Sequence, residues 1–230
     1  MRPQDLKAAR LRRGWGQVEA AQRLGVSQPY LAMLEQGKRR LANRLARKAA
    51  SVYGLPAVKL PVPQTFTPFK KADPERLTEY LAKLEYPGFS YRRSHVRARN
   101  PGEVLLTALS QESLEARVAE ALPWLLLHYW QADFDWLVEN AKRCDLQNRL
   151  GFVVNLARRL SEKTHQADRT KALAKLETTL DQSRLVREGF FPRPPRSEAE
   201  RQWLMQNRPE EAKHWNLFSD LRPEHLQYAA

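Results

Sequence analysis

The 230 residues include a single cysteine, Cys144, and no apolar run approaching the ~18 residues that a membrane-spanning helix needs. One thiol excludes an internal disulfide, which matches a reducing cytoplasm, and Cys144 is expected as a small buried thiol. The opening MRPQDLKAAR has no apolar signal region. Catalytic signatures are missing too: there is no HExxH, no paired CxxC, no GxxxxGK[ST], no GxGxxG and no GxSxG. The histidines His95, His128, His165, His214 and His225 lie too far apart to show metal-ligand spacing. The expectation is a chain with no catalytic residues, no metal and no cofactor, lying off the membrane. Strand-type alternation of useful length is also absent, so the expected fold class is all-α.

Acidic residues are scarce at one end. Residues 1–60 hold 13 Lys or Arg against Asp5, Glu19 and Glu35, a net of +10, while residues 61–230 hold 26 against 23, a net of +3. A basic patch of this density releases counterions when it neutralises phosphates, so its affinity for nucleic acid falls steeply with salt.

Within that basic region, Gln17 to Gly37 reads QVEAAQRLGVSQPYLAMLEQG. Two short helices crossing steeply need a small residue at their closest approach, here Ala21, and a turn residue free to take positive φ, here Gly25. Val26, Leu31 and Leu34 are placed to face inward. Ser27 is placed to N-cap the second helix, Pro29 near its first turn loses no helical bond, and Gly37 follows as a stop. Gln28, Tyr30 and Met33 are left on the outer surface.

From about Leu6 to Pro56 the chain resembles the Cro and lambdoid-repressor (XRE-type) class of helix-turn-helix domains. The likeness rests on Gln17, Ala21, Gly25-Val26-Ser27-Gln28, Leu31, Leu34-Glu35, Gly37-Lys38 and the closing Tyr53-Gly54-Leu55-Pro56. It implies a five-helix unit with its third helix in the major groove, a phosphate held at Gln17, a base read by Gln28, and Arg10 paired with Glu35. Departures are Gly16 where Thr or Ser usually caps the second helix, and Pro29 and Met33 where polar base readers are common. The DNA-binding set expected is Gln17, Ser27, Gln28, Tyr30, Met33, Lys38, Arg39, Arg40, Arg44 and Arg10, with double-stranded DNA as partner and a homodimer as the default for the class.

The expected organisation is a helix-turn-helix domain over 1–58, a Pro-rich linker over 59–74 and a larger helical domain over 75–230 for dimerisation or partner binding. Pro56, Pro61, Pro63, Pro68 and Pro74 oppose helix across the join, and Val62, Phe66 and Phe69 are suited to lie along a neighbouring surface as a strap. Helices are expected from Pro74 through Leu84, then over Glu103–Leu109, Glu112–Tyr129, Phe134–Lys142, Leu146–Glu162 and Ala167–Val186. In the fifth of these, Leu146, Leu150, Val153, Ala157 and Leu160 form one apolar stripe. The aromatic-dense stretch Leu122–Val138 reads as core, with His128 packed inside it. Tyr91–Arg99 is a basic irregular segment suited to phosphates, to an acidic partner or to solvent. The tail Phe190–Ala230, with Trp203, Trp215, Phe218 and Tyr228, is suited to wrap its own domain or a partner, with its own domain favoured.

The stretches ALPWLLLHYW, DWLVENAKRCDLQNRLGFVV and LARRLSE, within Glu120–Glu162, resemble the helical part of regulators that accompany nucleotidyltransferase-type abortive-infection toxins. That likeness implies the autoregulating antitoxin of a toxin–antitoxin pair, with a toxin as possible partner. The alternatives are a ligand-sensing repressor without a toxin and an enzyme with a DNA-targeting module.

Overall fold

Alanine and leucine spacing folds the start of the chain into four short helices, α1 (Pro3–Arg12), α2 (Gln17–Leu24), α3 (Gln28–Glu35) and α4 (Asn43–Tyr53). Leu6, Ala9, Ala20, Ala21, Leu24, Leu31, Leu34, Ala49 and Tyr53 form their common core. The small side chains let the backbones approach closely. In place of a fifth α-helix the chain makes one 3₁₀ turn, Ala57–Lys59. Pro56, Pro61 and Pro63 bracket it and deny a longer helix its donors. Lys59 pairs with Asp5 at 2.9 Å, which fastens this turn to α1.

The computed structural model describes residues 3–68, 73–92 and 95–226. The chain forms two compact units, Met1–Pro63 and Gln64–Ala230. The proline-rich stretch divides between them. In the second unit Phe66 is buried, with its ring edge-on to Trp136 at 6.5 Å and its N–H donating to Asn140 Oδ1 at 2.8 Å. Phe69 lies outside the described residues.

Among the described residues of the second unit there are eight further α-helices: α5 (Pro74–Lys83), α6 (Pro101–Leu109), α7 (Ala116–His128), α8 (Phe134–Arg143), α9 (Gln147–Lys163), α10 (Ala167–Asp181), α11 (Glu198–Asn207) and α12 (Glu210–His214). Their starts follow cap chemistry. Asp73, Asn100, Asp133 and Ser197 each accept a first-turn N–H, and proline occupies the first turn of α5 and α6. Two boundaries differ from the sequence expectation because tertiary bonds remove backbone groups from the helix. Helix α7 begins at Ala116, after Leu114 N–H has been drawn to the Pro192 carbonyl. Helix α10 stops at Asp181, and Leu185 beyond it is gripped at both N–H and C=O by the Asn148 side-chain amide.

The expected single stripe of α9 is too narrow a description. From Gln147 to Ala157 only Arg149 escapes burial, because α6, α7, α8, α10 and α12 surround the helix. In its second turn Gly151 receives the fully buried indole of Trp215, and a Cβ there would lie 2.3 Å from the ring. Helix α6 is buried at all nine positions.

The aromatic stretch is core at Leu122, Leu125, Leu126, Trp136 and Leu137, but His128 is not a core residue: it is exposed, with its ring stacked on Trp124 at 4.7 Å. Cys144 is half-buried, and burial pushes its thiol pKa up, with Asp145 adding to the shift and Arg143 opposing it. The tail packs on its own unit. Parallel two-residue strands β1 (Gly189–Phe190) and β2 (Leu217–Phe218) pair, and Phe190 stacks on Phe218 at 5.4 Å. Trp203 remains half-exposed, and Tyr228 lies outside the described residues. In the basic segment Arg92 donates to Thr78 and Arg99 pairs with Glu103, whereas Tyr91, His95 and Arg97 are exposed; Arg93 and Ser94 lie outside the described residues. Among the described residues no helix is long and apolar enough to cross a membrane, and no group of three metal-ligating side chains gathers.

Candidate nucleic-acid interface

Helices α2 and α3 meet through the turn that Gly25 makes possible at φ +67°. Its N–H closes α2 on Gln22, and the following Val26 N–H reaches back to the Ala21 carbonyl at 3.0 Å. Ala21 is buried at the crossing. Ser27 caps α3 by accepting the Tyr30 N–H at 3.4 Å, and Pro29 stands in the first turn. The other end of α3 closes when Lys38 N–H donates to the Met33 carbonyl at 2.9 Å, with Gly37 at φ +74°. Leu31 and Leu34 anchor the inner face of α3 at 0% and 1% exposure.

On the outer face the structure presents Gln28, Pro29, Ala32, Met33 and Gln36, all half-buried or exposed. Tyr30 sits at the edge of that face and packs partly against the core. Ala32 and Gln36 were not singled out from the sequence; counting helical spacing outward from Leu31 and Leu34 finds both.

A hydrogen-bond chain fixes the two glutamines. Gln28 Nε2 donates to Gln17 Oε1 at 2.7 Å, and Gln17 Nε2 donates to Glu35 Oε2 at 3.1 Å. Arg10 Nε and Nη2 donate to the two oxygens of Glu35 at 2.7 and 3.0 Å, and Arg10 Nη1 donates to the Trp15 carbonyl at 2.9 Å. This bidentate pair is buried. Burial alone pushes the Glu35 pKa up, but hydrogen bonds from Arg10 and Gln17 with the charges of Arg10 and Lys7 outweigh it, and the carboxyl is held below its ordinary value. Arg10 is thus placed unlike the other expected DNA contacts. Its guanidinium is inside the unit and acts through Glu35 on Gln17.

The remaining cations are outside. Lys38, Arg39, Arg40 and Arg44 are exposed and hold no ion pair among the described residues, in contrast to Arg23, paired with Glu19, and Lys59, paired with Asp5. Arg39 and Arg40 line a cleft of about 320 Å³ beside the first turn of α4, where Ala42 offers no side-chain cap. The first turn of α2 is likewise uncapped by a side chain, because Gly16 precedes it. Unclaimed first-turn N–H groups and the positive helix end suit a phosphate.

Two helices joined by a tight turn, a second helix with a small outer surface and a rim of unpaired cations define a helix-turn-helix module for double-stranded DNA. Residues 6–60 match the helix-turn-helix family model HTH_3, and this part of the chain is a helix-turn-helix of the XRE type. No curated protein and no solved structure matches the chain significantly.

Proposed function

We propose that the chain is a sequence-reading transcriptional regulator that works in the cytoplasm as a homodimer. The observation that carries this reading is the Gln28–Gln17–Glu35–Arg10 chain, which holds the first residue of α3 in one orientation before any base is met. Lys38, Arg39, Arg40 and Arg44, with the open first turns of α2 and α4, hold phosphates and set the register. Gln28 hydrogen-bonds a base edge, and Met33 with its neighbours makes apolar contacts. Two copies meet half-sites about one helical turn apart, near 34 Å. Turnover forms no part of the proposal.

A binding assay on the chain's own upstream DNA and on random DNA, across a salt series, tests the division of labour. Gln28→Ala is expected to narrow the gap between specific and random DNA by about 1–3 kcal/mol. Lys38→Ala is expected to weaken both alike and to shrink the salt slope by about one phosphate contact. Equal losses on both DNAs for both variants refute it.

The finer assignment, an autoregulating antitoxin with a toxin partner, is supported by the resemblance of Glu120–Glu162 alone. Expression with the genomic neighbours tests it: a stable complex with one of them is expected, and a chain that purifies alone while still binding its operator refutes the antitoxin role and leaves the DNA reading standing.

A further inference from the structure

We infer that the second unit holds a ligand site of its own, for a small zwitterion with an apolar body, in the chemical class of the α-amino acids. The site is a cleft of about 460 Å³ between the turn Tyr86–Tyr91 and the start of α7. Its size falls within the roughly 300–1,000 Å³ of small-molecule pockets.

One wall is a packed aromatic cluster, closed except at Tyr91. Tyr86 is buried, with its ring packed on Phe89 at 5.4 Å and on Trp124 at 5.2 Å. The same ring crosses the backbone at Gly88, where a Cβ would lie 2.6 Å away, so the turn is shaped to the tyrosine. Tyr91, at 68% exposure, is open to solvent, whereas Tyr86 and Phe89 are closed into the core.

The other wall carries one charge of each sign. Arg117 and Glu120 stand three apart on α7, where side chains are neighbours with Cβ atoms about 5–6 Å apart. Elsewhere in the unit such neighbours pair, as Glu210 with Lys213 at 2.6 Å. Arg117 and Glu120 make no ion pair or hydrogen bond among the described residues, although Glu120 is half-buried. A partly desolvated carboxylate without a partner is unfavourable until a cation meets it. A carboxylate and an ammonium on one carbon match this pair: Arg117 takes the carboxylate, Glu120 takes the ammonium, and the side chain lies against the open ring of Tyr91. His225 closes the rim. A nucleotide suits the cleft poorly, because its phosphate would bring further negative charge to Glu120. A neutral aromatic compound would leave both charges unmet.

The inference stands apart from the DNA reading, since the measurement uses no DNA. Thermal-shift and calorimetric titrations of the full chain with the standard α-amino acids should find binders among those with aromatic or large aliphatic side chains. For a phenylalanine-type ligand, 3-phenylpropionate, which lacks the ammonium, and phenethylamine, which lacks the carboxylate, should each bind at least about tenfold more weakly. Glu120→Gln should erase the preference over 3-phenylpropionate, and Arg117→Gln the preference over phenethylamine. The analogue series on the unchanged chain tests the same pairing without any substitution. Binding of none of the amino acids, equal binding of the truncated analogues, or binding of adenosine monophosphate in their place overturns the proposal.

Discussion

The two units place polar groups in their interiors in opposite ways. The N-terminal unit buries a bidentate ion pair, Arg10–Glu35, and extends it through Gln17 to the residue that begins α3. The C-terminal unit uses three of its inner polar side chains on backbone groups of other segments: Asn140 on Phe66, Asn148 on Leu185, and Arg149 on the carbonyls of Leu109 and Gln111 at 2.8 and 2.6 Å. In the first unit, stability and the proposed reading surface share one network. In the second, these polar groups hold the chain path, so its stability is expected to vary independently of DNA binding.

The largest test of that contrast is Trp215→Ala. Emptying a site filled by a fully buried indole is expected to destabilise the C-terminal unit by about 3–5 kcal/mol, read as a lowered unfolding midpoint. DNA affinity of the folded fraction should stay unchanged; a parallel fall in affinity breaks the comparison. Next comes Glu35→Gln, which leaves the Arg10 guanidinium buried without its counter-charge. Removing one partner of a buried pair is expected to lower stability by about 3 kcal/mol, and here DNA affinity should fall further than unfolding explains. Intact affinity in the folded fraction would uncouple the two roles.

Acid provides a finer version of the same test. The Glu35 pKa in the folded unit lies below its ordinary value of 4.5, so the stabilisation it contributes is complete above that value and is lost as pH falls through the folded value. Urea midpoints of the parent should drop on acidification over this range, and those of Glu35→Gln should drop less. The smallest expected effect is a gain. Asp145 takes φ +55° where the Leu146 N–H closes α8 on the Ala141 carbonyl, a conformation that suits glycine. Asp145→Gly should raise the C-terminal midpoint by about 1 kcal/mol and leave DNA binding alone.

Much of this arrangement is legible in the residues. Pro74 marks a helix start because capping is local chemistry, and Ala21, Gly25 and Gly37 mark the turn for the same reason, whereas α6 begins at Pro101, two residues before the expected Glu103. Where the reading falls short, the cause is long-range. The end of α10 depends on Asn148, and the delayed start of α7 on Pro192, neither of them near in sequence. The strand pair β1–β2 is two residues long and leaves no alternation to detect. In the N-terminal unit the separate roles expected of Gln17, Gln28 and Glu35 follow from resemblance, but their linkage into one chain of bonds joins residues 11 and 18 positions apart and is made only by the packing of α2 on α3. His128 carried the same ambiguity: an aromatic neighbourhood in sequence does not say on which side of the helix a residue lies, and it lies outward.

Gly151 adds a consequence for how the protein is made. Glycine inside a helix is less favourable than alanine by about 1 kcal/mol, and α9 accepts it at the spot where the Trp215 ring must lie against the backbone. During synthesis α9 leaves the ribosome well before Trp215 does. Until that tryptophan emerges, the central helix carries both its weakest residue and an unfilled notch, so the second unit reaches its final packing only late in translation, whereas the DNA-reading unit, complete within the first 63 residues, is free to fold long before.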